Sequence, residues 1–372
     1  MVRQSDNNNR EKQVLSGSLM QVELLAGQAL SAAHLRVWSD IVDNNPELDS
    51  PFFRPEFTQL MSQLRNRVEV AIIRNAYQIV GFFPFRRVSP VVGQSVGGRL
   101  SGAEGIICRE GIEVSLEELL DRIQLSSWDF EQVPANQSQF APYAFSETMS
   151  HYIDLSEGYE TYCDRKKDSG SKRIIKLNSL ARKLEREQGP VEFQFHDDRL
   201  ETLDKLIELK SQQFHDTHHT DVFNFDWTRN LLLDLQETDH PKLRGRLSTL
   251  SVGGQPIAIS YALQSQHVLH GWFTTFDPNY SRYSPGSILI LKIAEAAGEA
   301  GITRFDLGPG EQLFKQTLKS GSTFVCGGSL SNDPMRRWIK WGLHETKEWI
   351  SHSPARFTLD VLRPIKGWFD MK

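Results

Sequence analysis

Along the first part of the chain, apolar positions fall into alternating helical and strand periods. Residues 22–27 (VELLAG) predict a short strand. Ser31 then opens a stretch in which Leu35, Trp38, Ile41 and Val42 share one helical face, and Asn44, Asn45 and Pro46 close it. Phe57, Leu60, Met61 and Leu64 recur at helical spacing, which predicts a second helix between Pro55 and Arg67. Two apolar runs, 68–73 and 78–86, flank Arg74, Asn75, Ala76 and Tyr77 and predict a hairpin. Residues 91–105 concentrate Gly93, Gly97, Gly98, Gly102 and Gly105 without G-x-G-x-x-G spacing or a P-loop lysine, so a mobile loop is expected there. A short helix at 113–123, an extended piece at 128–133 and a surface connection at 134–137 follow.

From His151 the pattern starts again. HYIDL predicts a strand, and residues 159–188 a long helical region crowded with Arg165, Lys166, Lys167, Lys172, Arg173, Lys176, Arg182, Lys183 and Arg186. Such a run reads as a solvated helix face or as an anion-binding rim. VEFQF (191–195) alternates as a half-buried strand does. Leu203, Leu206, Ile207 and Phe214 mark one helix, and Trp227, Leu231, Leu232 and Leu235 another. Strands at 247–252, 257–263 and 268–276, the first two joined at Gly253 and Gly254, predict an antiparallel meander. Residues 286–300 form a helix so rich in Ile, Leu and Ala that it must be buried against a sheet. A strand at 302–308, a helix at 311–319, a strand from 323 and a Trp-rich amphipathic helical tail with Trp338, Ile339, Trp341 and Leu343 complete the chain.

The 372 residues have an ordinary globular composition, and a net charge of −5 argues against a global nucleic-acid surface. Cys108, Cys163 and Cys326 are too few and scattered for a disulfide framework or a metal knuckle, which suits the cytoplasm. No stretch approaches the roughly 18 apolar residues of a membrane span, and the polar start predicts a disordered tail over 1–17.

The order of elements from about 190 to 330 resembles the GNAT acyltransferase fold. The stretch YSRYSPGSILILKIAEAAGEAGITRFDLGPGEQLFKQTLKSG resembles the C-terminal half of FemAB-like and CelD-like (cellulose-biosynthesis) acetyltransferases, and PFFRPEFTQL and IVGFFPF resemble their N-terminal half. The resemblance implies an α/β (α+β) fold of tandem GNAT-like halves, each a mixed, mostly antiparallel sheet flanked by helices. It divides the chain into a tail (1–17), an N-terminal GNAT-like domain (18–150), a C-terminal GNAT acyltransferase domain (151–332) and a helical tail (333–372).

The helix that begins at Pro285 carries its own physical signal. Ser284 is a good N-cap, Pro285 suits the first helical position, and Gly286 lets a ligand approach the backbone. The N–H groups of Gly286, Ser287 and Ile288 would then face an anion, as at other helix N-termini. In GNAT enzymes that anion is the diphosphate of acyl-CoA, and Arg282 stands where it could add a charged contact. Counted from Arg282, however, the family's loop pattern finds Pro285 and Ser287 at its small-residue positions, and the alternative is ordinary helix capping with no ligand.

Acyl transfer from a thioester needs an acceptor that loses a proton as it attacks. The resemblance places Asp306, Gly308, Glu311 and Lys315 on the family's acid, glycine and lysine positions, with Phe314 where tyrosine is frequent. Asp277 and His270 are further candidates, His270 because an imidazole titrates in the useful range. Against these roles stand turn capping for Asp306 and a helical ion pair for Glu311 with Lys315. His215, His218 and His219 have spacing that can chelate zinc, but no HExxH glutamate accompanies them, and a polar loop lining the acceptor cleft is the expectation, with no metal.

The sequence thus predicts a cytoplasmic transferase moving an acyl group, acetyl above all, from acyl-CoA (acetyl-CoA) as co-substrate to an amine or hydroxyl of a small-molecule, sugar or polysaccharide-precursor acceptor. The resemblance also implies contact with polysaccharide-synthesis machinery. Two alternatives are FemAB-type aminoacyl transfer from charged tRNA, in which the basic helix matters, and a non-catalytic accessory protein of polysaccharide biosynthesis.

Overall fold

The computed structural model describes residues 13–17 and 20–333. Where the tail was expected, β1 (Gln13–Leu15) instead pairs in parallel with β7 (Ile112–Val114), because Leu15 is fully buried in the core beside Val114. Residues 334–372, expected to be a Trp-rich helix, lie outside the described residues.

In the first part β2 (Met20–Ala26) precedes α1 (Ala32–Asp43), which starts in a capping box: Ser31 Oγ accepts from the His34 N–H and His34 Nδ1 from the Ser31 N–H, both at 3.3 Å. Pro55 begins α2 (Pro55–Leu64). The hairpin of β3 (Val68–Asn75) and β4 (Gln78–Ser89) turns on Ala76 and Tyr77 alone, Ala76 taking φ +50°. The glycine-rich stretch is not a mobile loop. It forms β5 (Val92–Gln94) and a tight turn over Gly98–Leu100, and Val96 and Leu100 are buried with Phe57 and Leu247. Gly102 is required there, since a Cβ would lie 2.5 Å from His270 Nε2 and from the Phe52 ring. Then come β6 (Ile107–Cys108), β7, α3 (Leu116–Arg122), β8 (Ser127–Pro134) and β9 (Ala144–Asp154). The expected boundary at residue 150 falls inside β9.

The basic region is two helices, α4 (Tyr159–Asp168) and α5 (Arg173–Gln188), broken around Gly170 at φ +79°. After β10 (Val191–Gln194), α6 (Leu200–Asp216) and α7 (Asp226–Glu237) comes the meander β11 (Arg244–Val252), β12 (Gln255–Gln264) and β13 (Val268–Phe276). The chain ends in α8 (Pro285–Glu299), β14 (Arg304–Pro309), α9 (Leu313–Leu318) and β15 (Gly321–Ser331). Twelve strands form one path in the order β10-β11-β12-β13-β14-β9-β15-β8-β5-β4-β3-β2, with β6 off the path beside β4. The fold is therefore the mixed α/β kind that was expected.

Two helical layers enclose the β10–β14 portion. On one face the apolar α8 buries Leu289, Ile293, Ala294 and Ala297 against Leu250, Ala258 and Leu269, with Tyr162 of α4 and Leu177 and Leu184 of α5. On the other, Leu203 and Leu206 of α6 and Leu231 and Leu235 of α7 pack on Leu247 and Tyr261, together with Phe57 and Met61 of α2. Burial of a large aliphatic side chain contributes roughly 1.5–3 kcal/mol, which is why so apolar a helix as α8 takes this place.

Candidate active site

β13 and β14 run parallel but are paired only over Val268–His270 and Arg304–Asp306. Tyr261 pairs with Phe273 and Ala262 with Gly271, which makes Trp272 the extra residue of a β-bulge. Bulges bend a strand and increase its twist. Beyond the bulge, Gly271, Trp272, Thr274 and Phe276 of one strand and Phe305 and Leu307 of the other line a cavity of about 470 Å³. It joins the two layers. Arg173 of α5, the start of α8 and Lys315 of α9, which packs against α5 and β9, reach it from one side, and Lys210 and Gln213 of α6 from the other.

At the α8 terminus Ser284 does not act as the expected side-chain cap. It takes φ +57°, a left-handed conformation that costs an ordinary residue about 1–2 kcal/mol, and its hydroxyl makes no capping bond. Its carbonyl instead accepts the N–H of Ser287 at 3.0 Å and of Ile288 at 3.1 Å. Of the three amides expected to face an anion, two therefore already have an acceptor. Only the Gly286 N–H, at the second helical position, lacks an intrahelical partner by geometry. Ser281, Ser284 and Ser287 hydroxyls border the cavity beside it, and Ile288 turns into the core, 3 % exposed.

Three cations ring this cavity, and none makes an ion pair with a carboxylate among the described residues. Arg173 Nη2 donates to Ser287 Oγ at 3.1 Å, while its Nε is buried with no hydrogen-bond partner. Lys210 Nζ donates to Thr274 O at 3.2 Å and Gln213 Oε1 at 3.0 Å, and burial lowers its pKa to about 8. Lys315 Nζ donates to Pro309 O at 2.7 Å; burial first, then the charge of Lys210, lowers its pKa to about 8 as well. Trp272, Phe276, Ile290, Leu313 and Phe314 give the remaining wall an apolar character suited to a chain rather than an ion.

Of the residues singled out in the sequence, Ser284, Gly286, Ser287 and Lys315 come together here. Phe314 joins them, and the other candidates do not line the cavity. Arg282 turns outward onto Glu187, at 3.5 Å, and the Tyr283 hydroxyl. Asp277 accepts from the Asn279 N–H at 2.9 Å and so caps a turn. Glu311 is exposed and makes no pair with Lys315, whose ammonium is held by Pro309. His270 and Asp306 are register partners across β13 and β14, with Nδ1 and Oδ2 3.9 Å apart; Arg304 Nε holds the carboxylate at 2.6 Å, and Phe52 packs edge-on against the imidazole. That pair is buried at the seam with the first part of the chain.

Arg173 was hidden among its basic neighbours. Lys210 had a legible signal: it continues the apolar stripe of Leu203, Leu206, Ile207 and Phe214 at helical spacing, where a lone charge must find a polar destination. His215, His218 and His219 border a separate, open cavity of about 700 Å³, on the face of α6 opposite Lys210. Among the described residues no group of three or more His, Cys, Asp or Glu is placed to hold a metal. Among the described residues, no helix is long and apolar enough to cross a membrane.

Residues 171–316 match the family model described as an acetyltransferase (GNAT) domain, a span that contains the whole cavity. No curated protein matches the chain. Among solved structures, FemX is similar over 86 % of this chain and 100 % of its own, at 9 % identity and a TM-score of 0.54. The C-terminal domain of a putative lysylphosphatidylglycerol synthetase from Agrobacterium fabrum aligns over 87 % of this chain and 98 % of its own, at 13 % identity and a TM-score of 0.49. A tandem GNAT protein from the clavulanic acid biosynthesis pathway aligns over 85 % and 99 %, at 10 % identity and a TM-score of 0.49. At such identities the likeness to FemX concerns the fold alone.

Proposed function

We propose that this chain transfers an acyl group, acetyl above all, from acyl-CoA to an amine or hydroxyl of a small-molecule or saccharide acceptor. The observation that carries this reading is the cavity at the parting of β13 and β14, ringed by Arg173, Lys210 and Lys315 with no carboxylate among its lining residues. A diphosphate fits the chemistry of one end. Arg173, the Gly286 N–H and the Ser284 and Ser287 hydroxyls would hold it, and the orphaned Arg173 Nε gains a partner. The apolar wall suits the arm that carries the thioester, and the acceptor would enter from the α6 side. The thioester supplies the activated carbonyl; the chain supplies position, cationic stabilisation and exclusion of water.

The exposed basic residues Lys172, just before α5, and Lys176 and Arg182 of α5, continuous with Arg173, favour a second reading, aminoacyl transfer from charged tRNA. Thermal melting of the full-length protein separates the two. Acetyl-CoA at about 100 times its Kd should stabilise the fold by about 2.7 kcal/mol. Gly286→Trp should abolish that shift while the unliganded protein still melts cooperatively, because its Cβ meets only the Phe276 ring, at 3.4 Å. No shift with acetyl-CoA, but salt-sensitive binding of charged tRNA lost on charge reversal at Lys172, Lys176 and Arg182, would replace the first reading with the second. Neither response would favour an accessory protein.

A further inference from the structure

The transfer proposed above needs a group that removes a proton from the attacking acceptor, and the cavity offers an unusually short choice. Its lining residues include no aspartate, glutamate, histidine, tyrosine or cysteine. Asp277, Asp306 and His270 are engaged elsewhere, and Glu311 is exposed and does not line the cavity. Apart from arginine, which does not deprotonate in proteins, the only lining side chains with a titratable proton are Lys210 and Lys315.

The two lysines approach from opposite layers. Lys315 stands with α5 and α8, on the side where Arg173 and Gly286 form the polar end of the cavity; Lys210 stands on α6, across the parting of the strands. Lys210 is also held for the task. Gln213 Oε1 and Thr274 O accept two of its N–H bonds, so with Cε three of the four tetrahedral positions on Nζ are assigned. The fourth carries either a third proton or the lone pair.

We infer that Lys210 is the proton acceptor of the transfer, an amine that faces the acceptor across the thioester from Lys315. This inference rests on the acyl-transfer reading. As the acceptor nitrogen or oxygen bonds to the thioester carbonyl carbon, its proton moves to Lys210 Nζ. The carbon–sulfur bond then breaks, and the proton held by Lys210 passes to the departing thiolate, leaving the amine as it began. Lys315, in its ammonium form, stabilises the negative charge that develops. Burial lowers the Lys210 pKa to about 8, and the charged groups that share the cavity with it, Lys315 and Arg173, are both cationic.

Competitive labelling of the full-length protein with trace acetic anhydride, read lysine by lysine by mass spectrometry from neutral to alkaline pH, tests this without knowledge of the acceptor. Lys210 should reach half-maximal reactivity near pH 8, well below the roughly 10.4 of an ordinary lysine, with exposed Lys176 as the internal comparison. Acetyl-CoA at about 100 times its Kd should protect Lys210 by up to about a hundredfold. Lys210→Arg, which keeps the charge but cannot accept a proton, should retain the acetyl-CoA melting shift. The inference is overturned if Lys210 titrates alongside Lys176, if acetyl-CoA raises the melting point yet leaves Lys210 equally reactive, or if Lys210→Arg loses the shift and so proves to be a donor-binding residue. If wild-type protein shows no acetyl-CoA shift at all, the acyl-CoA reading itself fails, which is a distinguishable result.

Discussion

Lys210 and Lys315 grip the two arms of the parted sheet from opposite sides: Lys210 Nζ donates to the carbonyl of Thr274 on β13, and Lys315 Nζ to that of Pro309 on β14. Both amines are pulled down to about pKa 8, by burial above all. Each is charged below that value and loses its charge above it, so an anion in the cavity meets fewer cations as pH rises. Inorganic pyrophosphate should therefore raise the melting temperature most below pH 8 and progressively less above it. A shift that stays constant through this range would mean that neither lysine faces the anion.

Arg173 and Arg282 should behave oppositely. A hydrogen bond to a charged group contributes about 1.5–3 kcal/mol, so Arg173→Ala should weaken acetyl-CoA binding roughly 10- to 100-fold by calorimetry. Arg282, occupied by Glu187 and Tyr283 and 63 % exposed, should tolerate alanine within about twofold. Equal losses would relocate the diphosphate toward the turn before α8.

Glu104 makes a separate prediction about stability. Burial raises its pKa from 4.5 to about 8, outweighing the N–H groups of Glu131 and Gln132 that its carboxylate accepts. The folded chain thus retains a proton that the unfolded chain releases above about pH 4.5, and folding stability falls as pH climbs from there to about 8. Glu104→Gln should remove this slope, on the order of a few kcal/mol, and raise the melting temperature at neutral pH while leaving it nearly unchanged below pH 4. An unaltered pH profile would show that Glu104 is ionised in the fold.

Two glycines should respond differently to one added methyl. Gly102→Ala drives a Cβ to 2.5 Å from His270 Nε2 and Phe52, and overpacking of this kind destabilises by about 1–3 kcal/mol, visible as a lower denaturation midpoint. Gly286→Ala, 3.4 Å from Phe276, should leave stability within about 0.5 kcal/mol. A neutral Gly102→Ala would mean that the 93–105 stretch moves aside, as its sequence first suggests.

What the sequence determined by itself was local or periodic. Residues three and four apart define the faces of α1, α2 and α8, period-two alternation and Gly253–Gly254 define the meander, and the stretch from Tyr280 to Gly321 carries the family likeness. Hydrogen bonding within a turn and burial of a stripe depend on near neighbours, so these features are legible without the fold. The tertiary structure decided which side chains share the cavity. Lys210 meets Thr274 across 64 positions and Arg173 meets Ser287 across 114, while Asp277 and Arg282 lie close in sequence to the site yet take other partners. The bulge at Trp272, and with it the parting of β13 from β14, follows from a register between strands, and register is a sum over distant pairs that no window of sequence contains.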